Sequence, residues 1–232
     1  MTSSLKMLQE HIKLVDAIIY VLDGRCATSC LNPEFEKFTQ RKPVIFYYSK
    51  VDLAPGNRAP VNIITEVKKR FPADKKIVRA MVIGVPNAGK STLINKLSRG
   101  KKTVTADKPG TTRTKQWVLA TDYLWLLDTP GILYPKLSNP QIAKNLAYVG
   151  TIKDDILDIV ELSKSLLEDL KYLGMKEVNF EDFGKKRGFL LKGGVLDEER
   201  CAKAILVDFR AGKFGKFNLD RLLNKQDDGV SE

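Results

Sequence analysis

Gly84-Val85-Pro86-Asn87-Ala88-Gly89-Lys90-Ser91 sets a glycine, four further residues, a second glycine, a lysine and a serine in one run. An apolar segment precedes it and a helix-forming one follows, and this combination suits phosphate. Glycines let the backbone curl until its N–H groups face phosphate oxygens, and the positive end of the following helix adds to their pull. In that frame Asn87, Ala88 and Gly89 form the loop around the phosphates, Lys90 reaches the β- and γ-phosphates, and Ser91 ligates magnesium. Thr92, next along the helix, joins the nucleotide contacts. Downstream, Leu124-Trp125-Leu126-Leu127-Asp128-Thr129-Pro130-Gly131 ends an apolar strand in a carboxylate. Asp128 suits the magnesium side of the nucleotide, and the N–H of Gly131 is placed to meet the γ-phosphate. Between the two runs, Pro109-Gly110-Thr111-Thr112 lies in a polar stretch, and Thr112 is the candidate to close over the metal as the segment orders around the γ-phosphate. Alone, either of these two runs reads as an ordinary turn; their order and spacing after the phosphate loop give them weight.

Ser49-Lys50-Val51-Asp52 decides which base accompanies the phosphates. A carboxylate at the end of a strand accepts from guanine N1–H and the 2-amino group together, whereas adenine offers an acceptor at N1 and no amine at C2. Asp52 therefore selects guanine, and Lys50 lays its aliphatic stem across the base plane. Ser49 stands where an Asn is usual in such a reader and is too short to duplicate an amide's hydrogen bonds, so weaker nucleotide affinity is expected.

These groups need a rigid frame. The first 133 residues alternate short β-rich runs with helical or turn segments, the pattern of a doubly wound α/β sheet. Strands are expected over 15–22, 44–48, 77–83, 118–120 and 124–127. Ala17-Ile18-Ile19-Tyr20-Val21-Leu22 is continuously apolar, as a strand covered on both faces should be, so the sheet should be mostly parallel. After Gly131 the texture changes. Residues 134–140 form a turn-rich linker, and Ile156, Ile159, Val160, Leu166, Leu167, Leu170 and Leu173 then fall largely on one helical face. The expected division is an α/β nucleotide domain over 1–135 and a smaller all-α domain over 136–232, with breaks at 184–188 and 193–194.

The order of the motifs is unusual: the guanine reader at 49–52 precedes the phosphate loop at 84–91 and the acidic motif at 128–131. Most GTPases run the other way, so the chain reads as a circularly permuted P-loop GTPase fold, a rearrangement tolerated when the new connections run over the surface. With Asp23-Gly24-Arg25, Gln116-Trp117, Leu127–Leu133, Lys186-Arg187-Gly188 and Gly193-Gly194 added to these motifs, nearly the whole chain resembles the YlqF/RbgA family, the circularly permuted ribosome biogenesis GTPase A proteins. The resemblance implies GTP hydrolysis coupled to assembly of the large ribosomal subunit, with ribosomal RNA and the subunit precursor as partners. It also implies GTP or GDP and magnesium as ligands, with catalysis by Lys90 and Thr112 and the metal on Ser91, Thr112 and Asp128. The Asn87 position resembles one that helps hold potassium in cation-stimulated GTPases.

Two features depart from the family. Its members carry Pro-Gly-His-Met ahead of the first helix, with that His near the attacking water, and Met1 falls about where that motif would end. The sole histidine, His11, is expected to be structural, and position 132 is Ile where Ras-like enzymes have a water-orienting Gln. Slow intrinsic hydrolysis, raised by the ribosome, is the expectation. The alternative is a module that binds RNA or pre-ribosomes under GTP control without hydrolysis. Secondly, residues 53–83 are too few for two helices, two strands and a base-capping loop at about 11–12 and 5–6 residues per element. One strand–helix unit is expected to be missing.

Composition limits the rest. Residues 1–133 hold 22 Lys and Arg against 11 Asp and Glu, and residues 134–232 hold 17 of each, so the whole surplus of +11 lies in the first part. That favours a polyanionic partner, nucleic acid above all, over an uninvolved basic surface. Lys185-Lys186-Arg187 and the stretch 210–217, with Phe214 and Phe217, are candidate phosphate and base contacts, or a helix end with core aromatics. Cys26 and Cys30 lack a second pair at zinc spacing. No apolar run nears the roughly 20 residues of a bilayer span, and a cytoplasmic monomer without membrane contact is expected.

Overall fold

The structure, a computed structural model, describes residues 3–33, 35, 40, 42–56, 59, 61–98, 103–105, 116–133 and 139–225. Two compact units emerge: one of residues 1–23, 30–49 and 58–135, the other of residues 24–29, 50–57 and 136–232. Two short loops ahead of residue 135 thus belong with the second unit, a departure from a single cut there.

The first unit is built on a six-stranded sheet of β1 (Ala17–Asp23), β2 (Val44–Ser49), β3 (Val78–Ile83), β4 (Thr103–Thr105), β5 (Gln116–Leu119) and β6 (Leu124–Asp128), in the order β2-β1-β3-β6-β5-β4. The first four in that order are parallel, and β5 and β4 add antiparallel pairs at one side. Every residue of β1 is buried, as its apolar run foretells for a strand with neighbours on both sides and cover on both faces. Burial of Ile18 or Ile19 contributes about 1.5–3 kcal/mol each. Helices α1 (Ser3–Ile12), α2 (Ile63–Arg70) and α3 (Lys90–Ser98) accompany the sheet. The parallel register sets Asp23 opposite Ser49 and Val82 opposite Asp128, which brings three polar strand ends to the same end of the sheet.

Several boundaries differ from the sequence reading. Val15 is buried but precedes β1, because Asp16 turns its carboxylate to the Arg79 N–H at 2.8 Å and to Lys75 at 2.7 Å. At three residues β4 is too short to show a period of its own and is defined by pairing with β5. Between β2 and β3 lie a 3-10 turn (Val51–Leu53) and one helix, α2, with no strand among the described residues, and β2 forms an edge of the sheet. The interval is as short of elements as its length requires.

The second unit packs α4 (Pro140–Tyr148), α5 (Ile159–Tyr172), α6 (Phe180–Lys186), α7 (Glu198–Arg210) and a 3-10 segment (Leu219–Asn224). Asn139, Asp158, Asn179 and Asp197 cap the four α-helices through side-chain acceptors, each cap contributing about 1 kcal/mol. Leu166, Leu170, Ile205 and Phe209 form its core. Ile156, expected on the same apolar face as α5, is 72% exposed because it sits in a separate 3-10 turn ahead of the helix. A bridge between Leu190 and Leu196 closes a small hairpin over Gly193 and Gly194.

The first recruited loop, 24–29, is hydrogen-bonded into this unit. Leu219 N–H donates to the Arg25 carbonyl at 2.8 Å, and the N–H groups of Thr28 and Ser29 donate to Asp220 at 2.7 and 3.0 Å. Asn145 Nδ2 donates to Ser29 Oγ at 3.0 Å and to the Leu219 carbonyl at 3.1 Å. No helix among the described residues is long and apolar enough to cross a membrane.

Candidate nucleotide-binding site

The site of the first unit begins where β3 ends. Gly84 has φ +152, and a Cβ there would lie 2.4 Å from the Val21 carbonyl oxygen of β1, so only glycine lets the chain leave β3 this close to its neighbour. Asn87, also at positive φ (+57), turns the loop, and Lys90 opens α3. The loop therefore carries its N–H groups at a helix N-terminus and at the carboxyl end of the central strands, where α/β sheets bind ligands.

Lys90 is buried, and its Nζ donates to the carbonyls of Gly84 at 3.2 Å and Val85 at 2.9 Å. An ammonium has three protons to give, and neither of these acceptors is charged, so the bonds are exchangeable for phosphate oxygens. Burial pulls the Lys90 pKa down, with Asp128 opposing that shift; burial likewise pushes the Asp128 carboxyl up, with Lys90 opposing it. Each group thus supports the other's charge in a partly desolvated place.

The acidic motif packs against the loop. Thr129 Oγ1 donates to the Val82 carbonyl at 2.6 Å, and Ile132 N–H donates to the Gly84 carbonyl at 3.2 Å. A Cβ on Gly131 would lie 2.7 Å from Pro86 backbone atoms and 3.0 Å from Lys90 Nζ, so this approach too demands glycine. Asn87, Lys90, Ser91, Asp128 and Gly131 line one cavity of about 460 Å³. The Ser91 hydroxyl and Asp128 carboxylate are hard oxygen donors of the kind magnesium takes, so the residues present fit that ion.

Other expected contributors are placed differently. Ala88 is buried and Thr92 is exposed on α3, and neither lines the cavity. Thr112, with the rest of 109–112, lies outside the described residues. Ser49 is buried, and its hydroxyl faces the carbonyls of Leu22, at 3.1 Å, and of Ala88. With one proton to donate, it ties the strand end to the phosphate loop. This tie needs no long side chain, because the loop itself comes to the strand: a Cβ on Gly89 would lie 3.2 Å from Ser49 Cβ.

Lys50, Val51 and Asp52 belong to the second unit. Lys50 is left-handed at φ 50, ψ 34 and starts the 3-10 turn, whose closure is Leu53 N–H to the Lys50 carbonyl at 3.0 Å. Asp52 is exposed on that turn and makes no ion pair among the described residues, while Leu53 packs over Gly212. The carboxylate is available, and its backbone is fixed.

The basic stretches of the second unit are largely occupied. Arg210 donates to both oxygens of Asp154 at 2.7 Å and to the carbonyls of Tyr148 and Ala147 at 2.9 Å. Arg187 and Lys213 both pair with buried Asp208, and Phe214 packs against Phe183 at 6.1 Å. For these residues the reading as a helix end with packed aromatics prevails.

Comparison with known proteins agrees with this geometry. Residues 79–186 match the family model described as 50S ribosome-binding GTPase. Ribosome biogenesis GTPase A of Priestia megaterium is 31% identical over 270 aligned positions, covering 95% of this chain and 94% of that protein. Since that alignment is longer than the 232-residue chain, the relative holds residues with no counterpart here. Ribosome biogenesis GTPase A of Thermotoga maritima is 30% identical over 240 positions, 93% of this chain and 90% of that one. The crystal structure of GNP-bound YlqF from T. maritima superposes with a TM-score of 0.63 at 27% identity, covering 92% of this chain and 96% of the other.

Proposed function

The chain belongs to the ribosome biogenesis GTPase A family, and we propose that it is an assembly factor for the large ribosomal subunit, working on the subunit precursor through ribosomal RNA. As a GTPase it binds guanine nucleotides, with Lys90 and the loop 84–91 on the phosphates. The observation that carries the reading is Lys90 itself, held over the loop by two neutral carbonyls in one cavity with Ser91, Asp128 and Gly131. Water attacks the γ-phosphate in line, and the developing charge is stabilised by Lys90 and the loop N–H groups. Magnesium would be held by Ser91, Asp128 and Thr112 and would supply neutralisation of the charge on the phosphates. Asp52 reads the guanine edge and Lys50 covers the base. Asn87, exposed on the cavity wall, is the proposed potassium ligand. The protein acts in the cytoplasm as a monomer.

A specific observation favours a second reading, in which the nucleotide only switches binding. Ile132 is buried, donates its N–H to Gly84, and has no polar group to orient water. GTP turnover measured with and without large ribosomal subunits separates the two. Stimulation by the subunit is expected; turnover that stays flat while GTP still promotes subunit binding leaves only the switch.

A further inference from the structure

The first unit has a second cavity, of about 430 Å³, lined by Val67, Lys68, Phe71, Lys75, Lys76 and Tyr123 among others. It lies where β3 begins and the β5–β6 turn ends, a junction fixed by Val78 N–H donating to the Tyr123 carbonyl at 2.6 Å. The phosphate loop follows the opposite end of β3, about 17 Å away for a six-residue strand. The two cavities are separate, and both can be filled at once.

Its chemistry is specific. Lys68 Nζ stands 5.3 Å from the Tyr123 ring centre and Lys75 Nζ 5.1 Å from that of Phe71, so each ring is met by an ammonium group. Lys75 is also paired with Asp16, and neighbouring Lys69 and Arg70 with Glu66. Lys68 and Lys76 are exposed and make no ion pair among the described residues. The flanking acids Asp74 and Asp122 stay outside the lining. Half-buried rings beside unneutralised lysines match a ligand with a flat π-face and adjacent negative charge. An exposed cation–π contact is weaker than base stacking on the same ring, so a base can displace the ammonium, which then moves to a phosphate. The carboxylates of an acidic peptide would engage the lysines but not the faces of the rings.

We propose that this cavity binds one unstacked base of single-stranded RNA on Phe71 and Tyr123, with the flanking phosphates on Lys68 and Lys76. This deepens the reading of the chain as an RNA-contacting assembly factor and rests on it. The test uses the full chain with a fluorescein-labelled oligouridylate, followed by anisotropy, and a 4-thiouridine version of it for photocrosslinking. The paired change Lys68→Glu and Lys76→Glu is expected to lower affinity at least about tenfold and to flatten its salt dependence. Phe71→Leu, which keeps apolar volume without a stacking face, is expected to cost about fivefold or more. Crosslinks should map to Phe71 or Tyr123, while GDP affinity of each variant stays at the parent value and certifies the fold. Unchanged oligonucleotide affinity with crosslinks elsewhere overturns the cavity assignment and leaves RNA contact intact. No RNA binding by the parent protein, with GTP turnover still stimulated by large subunits, overturns the site but not the assembly role; loss of both overturns the role as well. Competition by polyglutamate, with Phe71→Leu indistinguishable from the parent, overturns it in favour of an acidic protein partner.

Discussion

Lys90 and Arg210 are both cations beside an aspartate, each at one end of an α-helix, and they have opposite fates. Arg210 has five N–H groups and uses four, on Asp154 and two backbone carbonyls. Lys90 gives two hydrogen bonds to neutral carbonyls that a ligand can replace, and its burial leaves the charge incompletely solvated. A cation is poised for a ligand when its present partners are weaker than the intended one. Arg210 holds the second unit together, whereas the bonds of Lys90 are open to exchange.

The contrast can be broken at several points. Lys90→Ala should have the largest effect, lowering kcat for GTP hydrolysis by about 10²–10³ while leaving the melting temperature nearly unchanged; single-turnover kinetics and thermal melts check both. Gly131→Ala puts a methyl group against Pro86 and Lys90, and GDP affinity measured by calorimetry should fall about tenfold or more, equivalent to about 1.4 kcal/mol. Ser49→Ala removes the tie to Ala88 and should weaken GDP binding about fivefold, as loss of one hydrogen bond of about 1 kcal/mol implies. Arg210→Gln should reverse the pattern, with stability reduced by about 1–2 kcal/mol in urea unfolding and GDP affinity held.

Arg210 also gives stability a dependence on pH. The hydrogen bond from Arg210 holds the Asp154 carboxyl below its ordinary value of 3.8. A depressed folded-state pKa gives stability that is present above the unfolded value and is lost as pH falls through the folded one. The melting temperature should therefore drop on acidification below about pH 4, and Arg210→Gln should make that drop shallower.

Ser49 shows where reading residues in order reaches its limit. Its place in a guanine-reader motif is legible, but its bond to Ala88 joins positions thirty-nine residues apart and exists only because β1, β2 and β3 lie side by side. The stretch 210–217 shows the converse. Its basic and aromatic composition is equally compatible with binding RNA and with packing, and the pairings of Arg210, Lys213 and Phe214 decide for packing. The strand β4 is not legible because Thr103-Val104-Thr105 is too short a run to show a period, and only a partner strand defines it.

The candidate phosphate loop and the permuted order of the motifs are legible in the residues alone, because glycine, lysine, serine and aspartate at fixed spacing act through local backbone geometry. Which cations remain available is set only on folding, since it depends on the carbonyls and carboxylates that distant segments bring within hydrogen-bond reach. Folding also sets the turn bearing Asp52 with the helical unit, where Leu53 packs over Gly212.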